Sequence, residues 1–592
     1  MKYEVSFGRL GGAPRPAAAG QKFRLALLGD FSGRANAGML ETGAALAARK
    51  PIKVDVDNLD DVLARMKLSL ALPLAEDGTV TVEIGAIDDF HPDQLAENVS
   101  LFEELRTLRR NLGSKAGFDR AAKQVMAWGG KAALPRPPRR SRGAAVATSR
   151  LSDFARLVGR PAPGAAEEGS ADALLARLVG PYIVPARDPR QDALIAQVDA
   201  ALSDAMRRVL HHPDFQTAEA IWRGVEFLVR RIETGARMEI VLYDVSAEEL
   251  AADVAATDAL EDTGLYGMLV EQPALDAHQG PLSAVIGLYD FELAPPHADL
   301  LGRIAQIAAA AGAPFVAGIG PDPLGIPMHE QHPLIRDAFG ALQELSAAAY
   351  LGLAAPRFLL RLPYGKKSDP IDAFAFEEFT RQEGLGGMLW GHPALIPGLL
   401  LAETFAQQGA KMKLGTVMGV GDIAYYTYAT PDGEHVALPC TARLYTERQA
   451  VQVGQYRVMP LVSLRGRPQV RLAGFSSMAG TPLAGFWAPV KIAPAAAPAA
   501  AAPAAAPPAA APAAAPAVAA EEEPEAQDAA TEDAAPVVDE AAAEEPSAAA
   551  PAAEADGGDD LDALLASLNE APAPADADAT EPDLDALLAS LN

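Results

Sequence analysis

From Ala493 to Ala520 the chain reads APAAAPAAAAPAAAPPAAAPAAAPAVAA, and no packed structure can be built from that text. Proline recurs too often for a continuous helix, because each ring removes a backbone N–H and clashes with the preceding turn. Alanine offers no apolar bulk for a core, so the run is expected to be an extended, solvated spacer. It also divides the charge. The 592 residues carry 50 Lys and Arg against 78 Asp and Glu, a formal charge of −28. From Ile492 onward there are 22 acidic residues and no basic one, so the tail accounts for −22 and everything before it for −6. The overall sign argues against nucleic acid as a partner, and the near-neutral body is that of an ordinary globular protein.

Composition separates four segments. Residues 1–128 alternate strand-like runs, KFRLALLGDF and VTVEIGAI, with a charged amphipathic helix, QLAENVSLFEELRTLRRNL. That mixture predicts an α/β fold. Residues 129–170 form a basic linker punctuated by Pro and Gly, containing Arg136, Arg139, Arg140 and Arg142. Residues 171–490 form a larger α/β block, with a helix over DALIAQVDAALSDAMRRVL and strands over RMEIVLYDV, LSAVIGLYDF and APRFLLRL. Residues 491–592 are the tail, expected to be disordered. Cys440 is the single cysteine, which excludes a disulfide framework or thiolate metal cluster and fits a reducing cytosol. The opening MKYEVSFGRL has no apolar run behind its basic residue and does not read as a signal peptide. The most apolar stretch, Arg303 to Gly320, is rich in Ala and Gly and interrupted by Gln306. It predicts a buried helix leading into a buried strand, not a membrane span.

Catalytic signatures are weak. The GDFSGR loop at Gly29 to Arg34 follows a strand as phosphate loops do, but lacks the Lys and hydroxyl that would meet phosphate and magnesium. The glycine-rich stretches Gly318 to Gly325 and Gly415 to Asp422 match no dinucleotide fingerprint and are expected to be turns. His329 and His332 stand three apart with no third ligand nearby, a polar loop before a metal site. His211 and His212 are expected to cap the end of a helix. Asp89 or Asp93 is expected to cap the helix that begins near Pro92. Nothing converges on a nucleophile, base and orienting group, so no enzyme and no cofactor is expected.

The tail does carry one organised element, written twice. LDALLASLN occupies Leu561 to Asn569 and again Leu584 to Asn592. Leu561, Leu564, Leu565 and Leu568 fall on one face of a short helix, and Leu584, Leu587, Leu588 and Leu591 repeat that face. A looser copy, DALLARL, runs from Asp172 with Leu174, Leu175 and Leu178 on the matching face. Burying four leucines yields about 6–12 kcal/mol, whereas ordering nine backbones costs about 9–18 kcal/mol. Each copy is therefore expected to fold only on a partner, and two copies on a flexible spacer raise avidity against a multivalent one. Packing on the chain's own body as a terminal cap, or a neutral duplication, are the other readings.

The first block resembles the small subunit of the type VI secretion contractile sheath, TssB or VipA-like, through FRLALLGDFSGR, PIKVDVDNLDDVLARM and IDDFHPDQLAENVSLFEELRTLRRNL in the family's order. The second resembles the large subunit, TssC or VipB-like, through VLHHPDFQTAEAIWRGVEFLV, LYDVSAEELAADV, GLYDFE, PRFLLRLPYG and MLWGHPAL. The resemblance implies two interlocked sheath-type α/β domains in one cytoplasmic chain that self-associates helically around an inner tube of Hcp-like protein, with baseplate components at its end. It implies no catalysis and no insertion into a membrane. It also implies that Asp172 to Leu178 is a ligand of a ClpV-like AAA+ unfoldase, and the two tail copies are expected to be further ligands of that unfoldase or of another multimeric component. Large subunits continue well past the text matching Tyr456 to Met478, where this chain turns to its Ala/Pro tail. A second reading is therefore a sheath-derived accessory component that joins a sheath or baseplate without forming the main assembly.

Overall fold

The run FRLALLG (β1, Phe23–Gly29) is apolar on both faces apart from Arg24, and all seven residues are buried. Such a strand needs a neighbour on each side and cover above and below. In the computed structural model it finds both in the second block. The described residues are 5–10, 22–75, 78–114, 117–127, 191–275, 280–380, 384–429 and 435–490. All fall in one compact unit, Met1–Pro503, while the remaining unit, Ala504–Asn592, lies outside them.

The first block also supplies β2 (Ile52–Val54) and a hairpin of β3 (Leu68–Ala75) and β4 (Gly78–Ile84). The second supplies β5 (Met238–Asp244), β6 (Ala284–Phe291), β7 (Phe315–Ile319), β8 (Leu351–Ala355), the short pairs β9 (Phe358–Leu359) with β10 (Trp390–Gly391) and β12 (Thr427–Ala429) with β13 (His435–Ala437), and β11 (Gly419–Val420), β14 (Met459–Ser463) and β15 (Val470–Leu472). One nine-stranded sheet runs β11-β15-β14-β8-β7-β6-β1-β5-β2. From β14 through β5 every neighbouring pair is parallel, and the edges are antiparallel. β1 pairs in register with β5 on one side, Leu25 opposite Ile240, and with β6 on the other, Leu27 opposite Ile286.

Alternation along the strands sorts side chains into two cores. Leu25, Leu27, Ile240, Leu242 and Ile286 join one, beneath the helices Gln191–Leu210, Pro213–Val229 and Leu395–Gln408. Ala26, Leu28, Val241, Tyr243 and Val285 join the other, beneath Ala247–Ala255, Pro295–Ala311 and Pro333–Glu344. The fold is thus α/β, with helices on both faces of the sheet. Arg303 to Gly320 forms the buried helix and strand its composition predicts, turned at Gly312 with φ 68°. No helix among the described residues is long and apolar enough to cross a membrane.

Two expectations change. The amphipathic run after Pro92 is not one helix but two, Pro92–Asn98 and Ser100–Gly113, because Val99 turns extended and buries its branched side chain. APRFLLRL is not one strand: Ala355 ends β8, Phe358–Leu359 forms β9, and beyond it Arg361 is drawn into buried ion pairs with Glu219 and Glu378.

Candidate functional site: the seam between the two blocks

The junction of the first and second blocks carries a network of buried charged groups contributed by both. Glu249 lies in the Ala247–Ala255 helix, where SAEE is a capping box: the Ser246 hydroxyl accepts from the Glu249 amide and the Glu249 carboxylate accepts from the Ser246 amide. The same carboxylate, with no solvent exposure, accepts from Arg34 at 2.8–3.0 Å and from Arg49 at 2.6–2.8 Å, both supplied by the first block. Glu41 completes the network at the surface. Burial works to raise the Glu249 pKa, and the hydrogen bonds from Arg49 and Arg34 more than reverse it, leaving it lowered.

Further pairs cross the seam. Arg24, buried in β1, meets Glu239 of β5. The Trp222 indole N–H donates to the Phe31 carbonyl at 3.0 Å, with the two rings edge to face at 5.6 Å. Phe90 meets Phe215 in the same manner at 5.6 Å. Asn36 donates to Asp214 at 2.9 Å while bonding both backbone groups of Ala71. Asp93 accepts from the amides of Asp372 and Ala373, so it ties the blocks together, while His91 caps its helix by accepting from the Asp93 amide. The other candidate, Asp89, accepts from the amides of Gly85 and Ala86 at the 3₁₀ turn just before.

The GDFSGR loop sits at the carboxyl end of β1, where open α/β sheets bind ligands. Its amides, however, are consumed by the protein's own carboxylates. Asp30 accepts from Arg34 and Ala35, and Asp244 accepts from Phe31 and Ser32. Those bonds take up four of the amides around the loop, Phe31, Ser32, Arg34 and Ala35. Burial pushes the Asp30 pKa up to about 6 against those amide bonds, with Asp244 and Glu248 adding repulsion. A cleft of about 220 Å³ opens beside the loop, lined from the first block by Asp30, Asn36 and Leu70 and from the second by Asp214, Asp290 and Arg357, among others.

The histidines recur in one role. His91, His212, His332 and His392 each precede proline, and the Nδ1 of each accepts the amide two residues on. His212 therefore caps the start of the next helix rather than the end of the preceding one, because Pro213 occupies the first helical position. His329 is exposed and His332 is such a cap, which makes that pair a loop and a cap. Trp222, Phe227 and Trp390 are core residues. Leu174, Leu175, Leu178 and the eight tail leucines, Leu561 to Leu591, lie outside the described residues. What sequence reasoning missed is Glu249 with Arg34 and Arg49: the capping-box spelling marked Glu249, but nothing local named partners some 200 residues away.

Residues 20–125 match the type VI secretion system VipA family, and residues 192–479 match VipB, the tail sheath N-terminal domain. The chain joins a VipA-family domain to a VipB-family domain. A sheath protein of Pseudomonas aeruginosa, the type VI secretion system sheath protein TssC1, is 28% identical over 304 residues, which cover 48% of this chain and 61% of that protein. The chain thus spans about three fifths of the length of that relative. The seam is the contact between the VipA-type and VipB-type domains, and its contents are packing and ion pairs, as in a structural protein of the sheath.

Proposed function

We propose that this chain is a structural protomer of a type VI contractile sheath in which both subunit types are one polypeptide. The observation that carries the reading is β1: a VipA-type strand buried between two VipB-type strands makes the pair a single folding unit. Joining them fixes a one-to-one ratio and makes docking intramolecular, at an effective concentration on the order of millimolar. The protomer acts without catalysis, in the cytoplasm, associating with its own copies around an Hcp-like tube and with baseplate components. It stores its work in packing. The leucine repeats of the tail, with Leu174, Leu175 and Leu178, serve a ClpV-like unfoldase or another multimeric partner.

Electron microscopy of the purified chain tests the assembly: tubes support it, and small particles under all conditions favour the accessory reading. For the tail, a peptide of residues 556–592 is titrated against the unfoldase's N-terminal domain beside its Leu565→Asp/Leu588→Asp form. Binding by the first alone is expected; equal binding by both, or by neither, removes the assignment.

A further inference from the structure

The cleft at the carboxyl ends of β1, β5 and β6 has no role in strand pairing. Its floor is apolar, with Leu70, Ile221, Leu250 and Leu288, and its walls come from both domains. Its charge is lopsided. Among the described residues lining it are four carboxylates, Asp30, Asp214, Glu248 and Asp290, against one guanidinium, Arg357, which is paired with Asp290. His392 adds no positive charge at neutral pH, since burial holds its pKa down to about 4.

We propose that this cleft receives the arginine segment of the interdomain linker, Lys131–Arg150, from the same chain. Two long stretches lie outside the described residues, and charge decides between them. The tail beyond Ile492 has 22 acidic residues and no basic one, and the cleft repels it. Lys131–Arg150 has six basic residues and no acidic one. Its PRPPRR core suits a groove of this kind: prolines hold the backbone near extended PPII geometry and so lower the ordering cost. Arginine stems lie well on an apolar floor while their guanidinium groups meet carboxylates at the rim.

The linker is long on both sides of its arginines. Arg139 follows Ala127, the last residue of its helix, by 12 residues, a span of up to about 40 Å. On the other side the Gln191–Leu210 helix is 20 residues long, about 30 Å, and it ends beside Pro213 at the cleft. The 49 residues from Arg142 to Gln191 cover that distance several times over. The seated segment touches both domains at once and fastens the seam from outside.

The single cysteine makes the test clean, because Cys440 is buried. Thr217 is exposed and lines the cleft. Ala236, exposed, stands two residues before β5 and so lies at the opposite, amino end of the sheet. Full-length Thr217→Cys/Ser141→Cys and Ala236→Cys/Ser141→Cys are oxidised at nanomolar concentration and followed by mass and gel mobility. The first pair is expected to close within one chain about tenfold or more faster than the second. Changing Arg139, Arg140 and Arg142 to Glu in the first pair should bring it down to the rate of the second. Equal rates for the two pairs, indifference to the charge reversal, or disulfides that join two chains would each overturn the proposal. Because the readout is on dispersed chains, it is independent of whether they form tubes.

Discussion

Replacing Glu249 by alanine tests whether ion pairs hold the seam. The carboxylate is fully buried and receives Arg34, Arg49 and the amides of Glu41 and Ser246. Both arginines are mostly buried as well, at 13% and 16% side-chain exposure. Removing one member of a buried pair leaves uncompensated charge, a loss of about 3–5 kcal/mol. Glu41, half exposed, still faces both guanidiniums, so about 3 kcal/mol, the low end, is expected. Arg443→Ala is the control. Its pair with Asp322 is exposed, at 45% and 84%, and should contribute no more than about 1 kcal/mol. Urea unfolding of the full chain, followed through tryptophan fluorescence, to which the buried Trp222 and Trp390 contribute, measures both. Because β1 lies between β5 and β6, the two domains should unfold in one transition, shifted in Glu249→Ala without being split. If the two variants lose stability equally, the ion network is ornamental and the reasoning fails.

Gly264→Ala should cost about 1–3 kcal/mol, since a Cβ there would lie 2.5 Å from the Gly43 carbonyl oxygen and force the two domains apart; unchanged urea midpoints would refute so close an approach. Residues 1–128 and 171–592 expressed apart should be insoluble and recover solubility together, whereas two soluble, non-interacting halves would contradict the shared sheet. Acid should weaken the fold already between pH 6.5 and 4.5. His297 and His392 are held by burial at about 4 rather than 6.5, so as pH falls from 6.5 to 4 the unfolded chain takes up their protons first and stability is lost. Asp30, raised to about 6, works the opposite way between 6 and 3.8. Two groups against one leave a net loss on the order of 3 kcal/mol by pH 4.5, which urea titrations at pH 7.0, 5.5 and 4.5 would detect and which His392→Gln should reduce.

Local pattern carried the α/β class and most elements, because burial on both faces and helical spacing are written in consecutive residues. The helix break at Val99 was not legible, because an extended turn between two amphipathic segments leaves the apolar spacing nearly intact. The charged half of the seam was equally hidden: Arg34 and Glu249 look like a loop cation and a helix cap until the chain brings them together across 215 positions. Yet the need for a second domain was present in FRLALLG. Among the described residues, the first domain's other strands are the three-residue β2, which pairs with β5, and a hairpin that pairs with itself. Neither can flank β1, and a strand apolar on both faces cannot be left at an edge without inviting aggregation. The seven residues from Phe23 to Gly29 thus require two parallel neighbours that the described residues of the first block do not supply, and Met238–Asp244 and Ala284–Phe291 meet that demand. Covalent fusion puts that demand and its answer in one translation product, and keeps β1 from being released without its flanking strands.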